Sequence, residues 1–116
     1  MTFPIPPGPV KAEDFDVDGL TPDGYAIVDV REDMEWEAGH APGAIHIPAD
    51  DIPNALDDLP EDDLIIVCRS GGRARKVAEW LNRNGFDSMP LVDGMLHWQA
   101  IGLPLASEDG SIPEIM

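Results

Sequence analysis

The run Leu64-Ile65-Ile66-Val67-Cys68-Arg69-Ser70-Gly71-Gly72-Arg73-Ala74-Arg75-Lys76 decides how the rest of the chain is read. Its consecutive apolar residues, bounded by acids on one side and a turn on the other, predict a strand buried on both faces. Ala74, Val77, Ala78 and Leu81 follow at helical spacing and predict a helix over residues 73–84 that stops at Asn84-Gly85. The only cysteine of the chain stands between the two elements. A thiol is a good nucleophile when its thiolate is stabilised, as it is by a helix N-terminus, successive unpaired backbone N–H groups and neighbouring guanidinium groups. All three features fall between Cys68 and Arg73.

Outward from this run, Ala26-Ile27-Val28-Asp29-Val30, Ala44-Ile45-His46-Ile47 and Met89-Pro90-Leu91-Val92 are short apolar stretches fenced by glycine, proline and charge. Each predicts a strand. Between them, Met34 to Ala38 predicts a brief helix closed by Gly39. Asp50 to Leu59 predicts a short helix with Pro53 in its first turn and Ile52, Leu56 and Leu59 on one face. Leu96 to Ile101 predicts a last short helix before Gly102. Apolar strands alternating with helices predict an α/β domain whose mainly parallel sheet is covered on both faces. In such sheets ligands bind beyond the carboxyl ends of strands, where Cys68 lies. Residues 1–25, rich in Pro, Gly and acids, read as an irregular arm packed on the domain, extended over Met1 to Pro9 and with at most a turn of helix from Val10 to Tyr25. Residues 26–105 form the domain, and residues 106–116 an acidic tail, loosely held from Ser107 onward.

A chain of 116 residues and 12.6 kDa suits a single core. With 43% apolar residues spread along it, the sequence reads as globular. No apolar stretch approaches the roughly 18 residues of a membrane helix, and the first residues lack the pattern of a signal peptide, so the expected location is cytoplasmic. A lone cysteine forms no internal disulfide, which agrees with a reducing compartment, and it leaves any sulfur chemistry to end on an external acceptor. The formal net charge of −16 argues against nucleic acid and anionic membranes as partners. Yet Arg69, Arg73, Arg75 and Lys76 make up four of the seven basic residues, a local cationic spot that suggests a small anionic ligand. Arg75 and Lys76 read as ordinary exposed helix residues.

Taken in order, Val28-Asp29-Val30-Arg31, Gly39-His40-Ala41-Pro42-Gly43-Ala44-Ile45-His46-Ile47-Pro48, Cys68-Arg69-Ser70-Gly71-Gly72-Arg73 and Gly94 followed by Trp98 resemble the ordered motifs of the rhodanese-like domain. The resemblance spans about Ala26 to Leu105. It implies a rhodanese-like three-layer fold with a mainly parallel five-stranded sheet. It further implies a thiosulfate sulfurtransferase that moves a sulfane sulfur from thiosulfate or a similar donor to a thiophilic acceptor, such as cyanide or a thiol, through a persulfide on Cys68. The alternative from another class is a binding module or persulfide carrier fed by a protein partner. Cysteine phosphatases and arsenate reductases are the minor alternative: phosphatases sharing this fold use a loop one residue longer than the four residues between Cys68 and Arg73. No metal or organic cofactor is implied, and oligomeric state is not legible.

The candidate site is therefore Cys68 as nucleophile, with Arg69, Ser70, Gly71, Gly72 and Arg73 binding the donor. Gly71 and Gly72 let the backbone curl so that its N–H groups face an anion, and Arg69 and Arg73 suit the donor's oxyanion. Relatives that use mercaptopyruvate usually carry a less basic loop, so the arginines favour thiosulfate. Asp29 and Arg31 read as a buried ion pair in preference to active-site groups. His40 reads as a hydrogen-bonded structural residue, the spacing of His40, His46 and His97 does not suggest zinc, and Trp36, Trp80 and Trp98 read as core or rim. Two departures from the family pattern stand out: Asp93-Gly94 replaces a pair of glycines, so Asp93 either tunes acceptor preference or points to solvent, and Pro-rich sequence replaces the usual first helix.

Overall fold

A strand that is apolar at every position is stable only where both of its faces are covered. The computed structural model, which describes residues 8–116, satisfies this condition for the central strands. In chain order its elements are β1 (Tyr25–Asp29), α1 (Asp33–Ala38), β2 (Ile45–His46), β3 (Asp63–Val67), α2 (Gly72–Arg83), β4 (Ser88–Pro90) and α3 (Gly94–Ala100). All strand pairs are parallel, in the order β2-β1-β3-β4. The β1 and β3 strands pair along their whole length, from Tyr25 opposite Asp63 to Asp29 opposite Val67.

The two-residue period of a strand sorts the core into two layers. Ile27, Ile65, Val67 and Met89 face α3 and the arm, meeting Phe15, Met95 and Trp98. Val28, Leu64, Ile66 and Cys68 face α2, meeting Ala74, Ala78 and Leu81. Helices thus cover both faces, as the apolar strands require. The arm is clipped on by an edge-to-face contact of Phe15 with Trp98 at 4.8 Å and by an ion pair of Glu13 with His97 at 2.6 Å.

The structure corrects three expectations. Among the described residues the sheet has four strands, not five: beside β4 only Val10 pairs, its N–H donating to the Pro90 carbonyl and its own carbonyl accepting from the Val92 N–H. Pro90 offers no N–H, so the ladder loses the next bond along this edge, toward Gly8. Asp50 to Leu59 forms two 3₁₀ turns, Ala49–Asn54 and Leu56–Asp58, in place of one helix. Pro53 blocks an α-helical bond within the first, and the aspartates compete for backbone N–H groups. The acidic tail is docked: Ile115 is buried in the α3-side core, and the Glu114 N–H donates to the Ala38 carbonyl. The expected helical turn does occur in the arm, at Ala12–Asp14, and the stretch from Met1 to Pro7 lies outside the described residues.

At the end of β1, Asp29 and Arg31 form the expected buried pair, both side chains at 0% exposure. Arg31 donates from Nε and Nη2 to the Asp29 carboxylate at 2.7–3.1 Å, and Nη2 also donates to the Gly39 carbonyl at 2.7 Å. Nη1 is buried with no partner among the described residues. The pair fixes the chain leaving β1 against the end of α1. Arg31→Ala would strand a buried carboxylate, so urea unfolding should show a stability loss of about 3–5 kcal/mol. A loss under about 1 kcal/mol would mean that the pair does not organise this end of the sheet.

Candidate active site

Cys68 follows the last residue of β3 and is almost fully buried. Its Sγ accepts the backbone N–H of Gly71 at 3.0 Å and that of Ala74, in the first turn of α2, at 3.4 Å. Gly71 caps α2 at φ 108°, a left-handed conformation, and a Cβ there would strike the Val92 carbonyl oxygen. The carbonyls of the loop face the other way. The N–H groups of Met95 and Leu96, in the first turn of α3, donate to the carbonyls of Cys68 and Arg69 at 2.8 and 3.0 Å. This close approach needs Gly94, at φ 70°, because a Cβ there would overlap the Arg69 carbonyl and lie 2.7 Å from the Ser70 nitrogen. Oxygens turn toward α3, and N–H groups converge on the sulfur. With the N-terminal end of α2 added, the surroundings of Sγ favour negative charge.

The guanidinium groups are engaged within the chain. Arg73 binds Glu35 of α1 bidentately, Nη1 to Oε1 at 2.9 Å and Nη2 to Oε2 at 3.1 Å. Hydrogen bonding to Arg73 holds the Glu35 carboxyl below its ordinary value of 4.5. The same bond, reinforced by the charges of Glu35 and Cys68, pushes Arg73 up. Glu35 Oε1 also accepts the Glu32 N–H at 2.9 Å in a capping box, which fixes the carboxylate at the end of α1 nearest β1. Arg69 is exposed and donates from Nε to the main-chain oxygen of Met116 at 2.7 Å. Ser70 and Gly72 are exposed on the loop, as are Arg75 and Lys76 on α2.

Sequence reasoning missed Glu35 and Met116. The Glu32-x-x-Glu35 spacing signals a helix start, but nothing local pairs it with Arg73. Asp93, at the start of α3, is exposed and makes no capping bond. His40 and His46 pack on Trp36: His40 stacks on it at 3.5 Å, with its Nδ1 2.8 Å from the Trp36 carbonyl oxygen. His46 stacks on Trp36 at 4.9 Å, with Nε2 2.9 Å from the Arg31 carbonyl oxygen. Trp98 is fully buried and donates to the Pro104 carbonyl, whereas Trp80 is partly exposed and lines a shallow groove of about 180 Å³ with Ile52, Pro53 and Lys76.

A family model described as the rhodanese-like domain matches residues 16–101. The Bacillus subtilis protein YtwF, provisionally named a sulfurtransferase, is 38% identical over 74 residues, which cover 63% of this chain and 72% of that protein. A sulfurtransferase of Allochromatium vinosum is 33% identical over 86 residues, covering 72% of this chain and 80% of that one. Among solved structures, a rhodanese-like domain protein from Staphylococcus aureus aligns with a TM-score of 0.74 at 35% identity, over 86% of this chain and 99% of its own.

Two outcomes follow from the geometry. Gly71→Ala should slow alkylation of Cys68 by iodoacetamide at least tenfold while the far-ultraviolet spectrum stays native, because the loop must open to admit the methyl group; an unchanged rate would show that the Gly71 conformation does not set the reactivity of Cys68. Because the Glu35 carboxyl is depressed in the folded state, its contribution to stability is present above the unfolded value and lost as pH falls through the folded one. Glu35→Gln should therefore flatten the loss of urea midpoint between about pH 5 and pH 3. An equally steep loss in the variant would contradict the pairing.

Proposed function

The chain belongs to the rhodanese-like domain family, and on that premise we propose that it carries a sulfane sulfur on Cys68, taken from thiosulfate or a similar small anionic donor and passed to an external thiol or cyanide. Sulfur transfer is the class of chemistry that its relatives support. The observation that carries the finer reading is the convergence of the Gly71 and Ala74 N–H groups on Sγ.

In the first half-reaction the Cys68 thiolate attacks the outer sulfur of thiosulfate. A Cys68 S–S bond forms, the donor's S–S bond breaks, and sulfite leaves with the electron pair. The terminal sulfur of the persulfide is then the anion, and the N–H groups of the loop at the start of α2 are the donors suited to hold it. In the second half an acceptor thiolate attacks that terminal sulfur, a new S–S bond forms on the acceptor, and the Cys68 thiolate departs. Cyanide accepts the sulfur in the same way, as thiocyanate. Sulfur therefore ends outside the chain, whose one cysteine cannot resolve its own persulfide.

The second reading, a persulfide carrier fed by a protein partner, is favoured by the commitment of Arg73 to Glu35 and of Arg69 to the Met116 oxygen. Intact-mass measurement separates the two. On mixing with thiosulfate, the wild-type chain should gain the mass of one sulfur, lose it to cyanide, and show neither change as Cys68→Ser. A gain from a protein persulfide but not from thiosulfate would select the carrier. No gain from either would contradict persulfide chemistry at Cys68.

A further inference from the structure

Residues 102–116 lie beyond the stretch that the family model covers, yet they return to the cysteine loop. Ala106 exchanges two backbone hydrogen bonds with His40, at 2.8 and 3.0 Å. The Ser107 hydroxyl donates to the Ser111 carbonyl at 2.7 Å, closing the turn that sends the chain back. Glu114 then crosses Gly39 so closely that a Cβ on Gly39 would lie 2.5 Å from the Glu114 oxygen. Ile115 sinks into the α3-side core, and its N–H donates to Gln99 Oε1 of α3 at 2.8 Å. Met116 comes next and accepts the Arg69 Nε–H.

The side of the sheet matters here. Cys68 packs in the α2-side core with Ala74, whereas Ile115 packs in the α3-side core with Trp98. By bonding to the residue next to Ile115, the Arg69 guanidinium is tied toward the α3 side, away from the side on which Sγ receives its N–H groups. Arg73 is meanwhile neutralised by Glu35. Freed from Met116, Arg69 is the remaining loop cation able to swing toward an anion arriving at Cys68.

We propose that Glu114–Met116 is a specificity-determining strap, which holds Arg69 on the α3 side and so lowers the preference of the Cys68 site for small oxyanions over uncharged or protein-borne reagents. Ile115 and Gln99 are positioning residues that act through Arg69. The proposal rests on the reading of Cys68 as the nucleophile, but its test does not require sulfur transfer.

With a single cysteine, alkylation reports on this site alone. The ratio of the rate with anionic iodoacetate to that with neutral iodoacetamide measures the charge that a small reagent meets at the thiolate. Ile115→Ser, and more mildly Gln99→Ala, should raise that ratio at least about threefold, with Arg69→Gln in the Ile115→Ser background cancelling the gain. Thermal melts identify the variants that remain folded, and Gln99→Ala retains the apolar anchor of the strap. In the sulfur assay the released variants should show a lower KM for thiosulfate with little change in kcat. An unchanged ratio in both variants, an equal acceleration with both reagents, or a gain that survives Arg69→Gln would overturn the proposal. Failure of the sulfur assay alongside a raised ratio would count against the thiosulfate reading and leave the strap standing.

Discussion

The site depends on one close approach of backbone to backbone. After β3 and after β4 the chain turns at the same end of the sheet, and the two turns pack with no side chain between them at Gly71 and Gly94. That contact lets the first N–H groups of α3 take the carbonyls of Cys68 and Arg69. A peptide unit whose oxygen is bound on one side presents its N–H on the other. The two bound carbonyls share peptide units with the Arg69 and Ser70 N–H groups, whereas the Gly71 and Ala74 N–H groups that reach Sγ belong to the turn into α2, so the start of α3 holds the loop in place and the start of α2 supplies its donors. Either glycine, given a side chain, would push the turns apart and disturb this polarity.

Around this junction the charges are ordered by burial. Asp29 and Arg31 are fully enclosed and lock the exit of β1 to Gly39. Glu35 and Arg73 are partly exposed, an ion pair with two hydrogen bonds and residual access to water. Arg69 is the most exposed of the three arginines and is held by one hydrogen bond to the strap. Cost of displacement falls in the same order, because an exposed group can exchange its partner for water while a buried one cannot. The cation easiest to move is therefore the one beside Cys68. Gly39 joins the first of these to the last, since its carbonyl binds Arg31 and its open face admits Glu114 of the strap.

What the sequence made legible was local. The apolar runs at Ile27-Val28 and Leu64 to Val67 stated their burial through composition, α2 stated its face through spacing, and Cys68 stood out as a lone thiol before two glycines. What it hid was long in range or supported by a single residue. The Arg73 contact with Glu35 spans 38 positions and that of Arg69 with Met116 spans 47, so neither leaves a periodic mark. The tail looks solvated because Ile115 is its one residue buried in the core and its other anchors run largely through the backbone, which leaves no apolar pattern. Asp50 to Leu59 has helical spacing, but an interior proline and poor helix formers tip it to 3₁₀ turns. The resemblance implies a fifth strand without saying where it lies, and among the described residues Val10 alone pairs beside β4.

We propose that the backbone N–H groups gathered at Cys68 hold a sulfur carried there. Amide spectra of ¹⁵N-labelled protein before and after loading Cys68 with a sulfane sulfur test this directly. The cradle predicts that the Gly71 and Ala74 amide protons shift downfield as the persulfide anion forms, and return when a thiol removes the added sulfur. A sulfur on Cys68 that leaves both amides unmoved would contradict it.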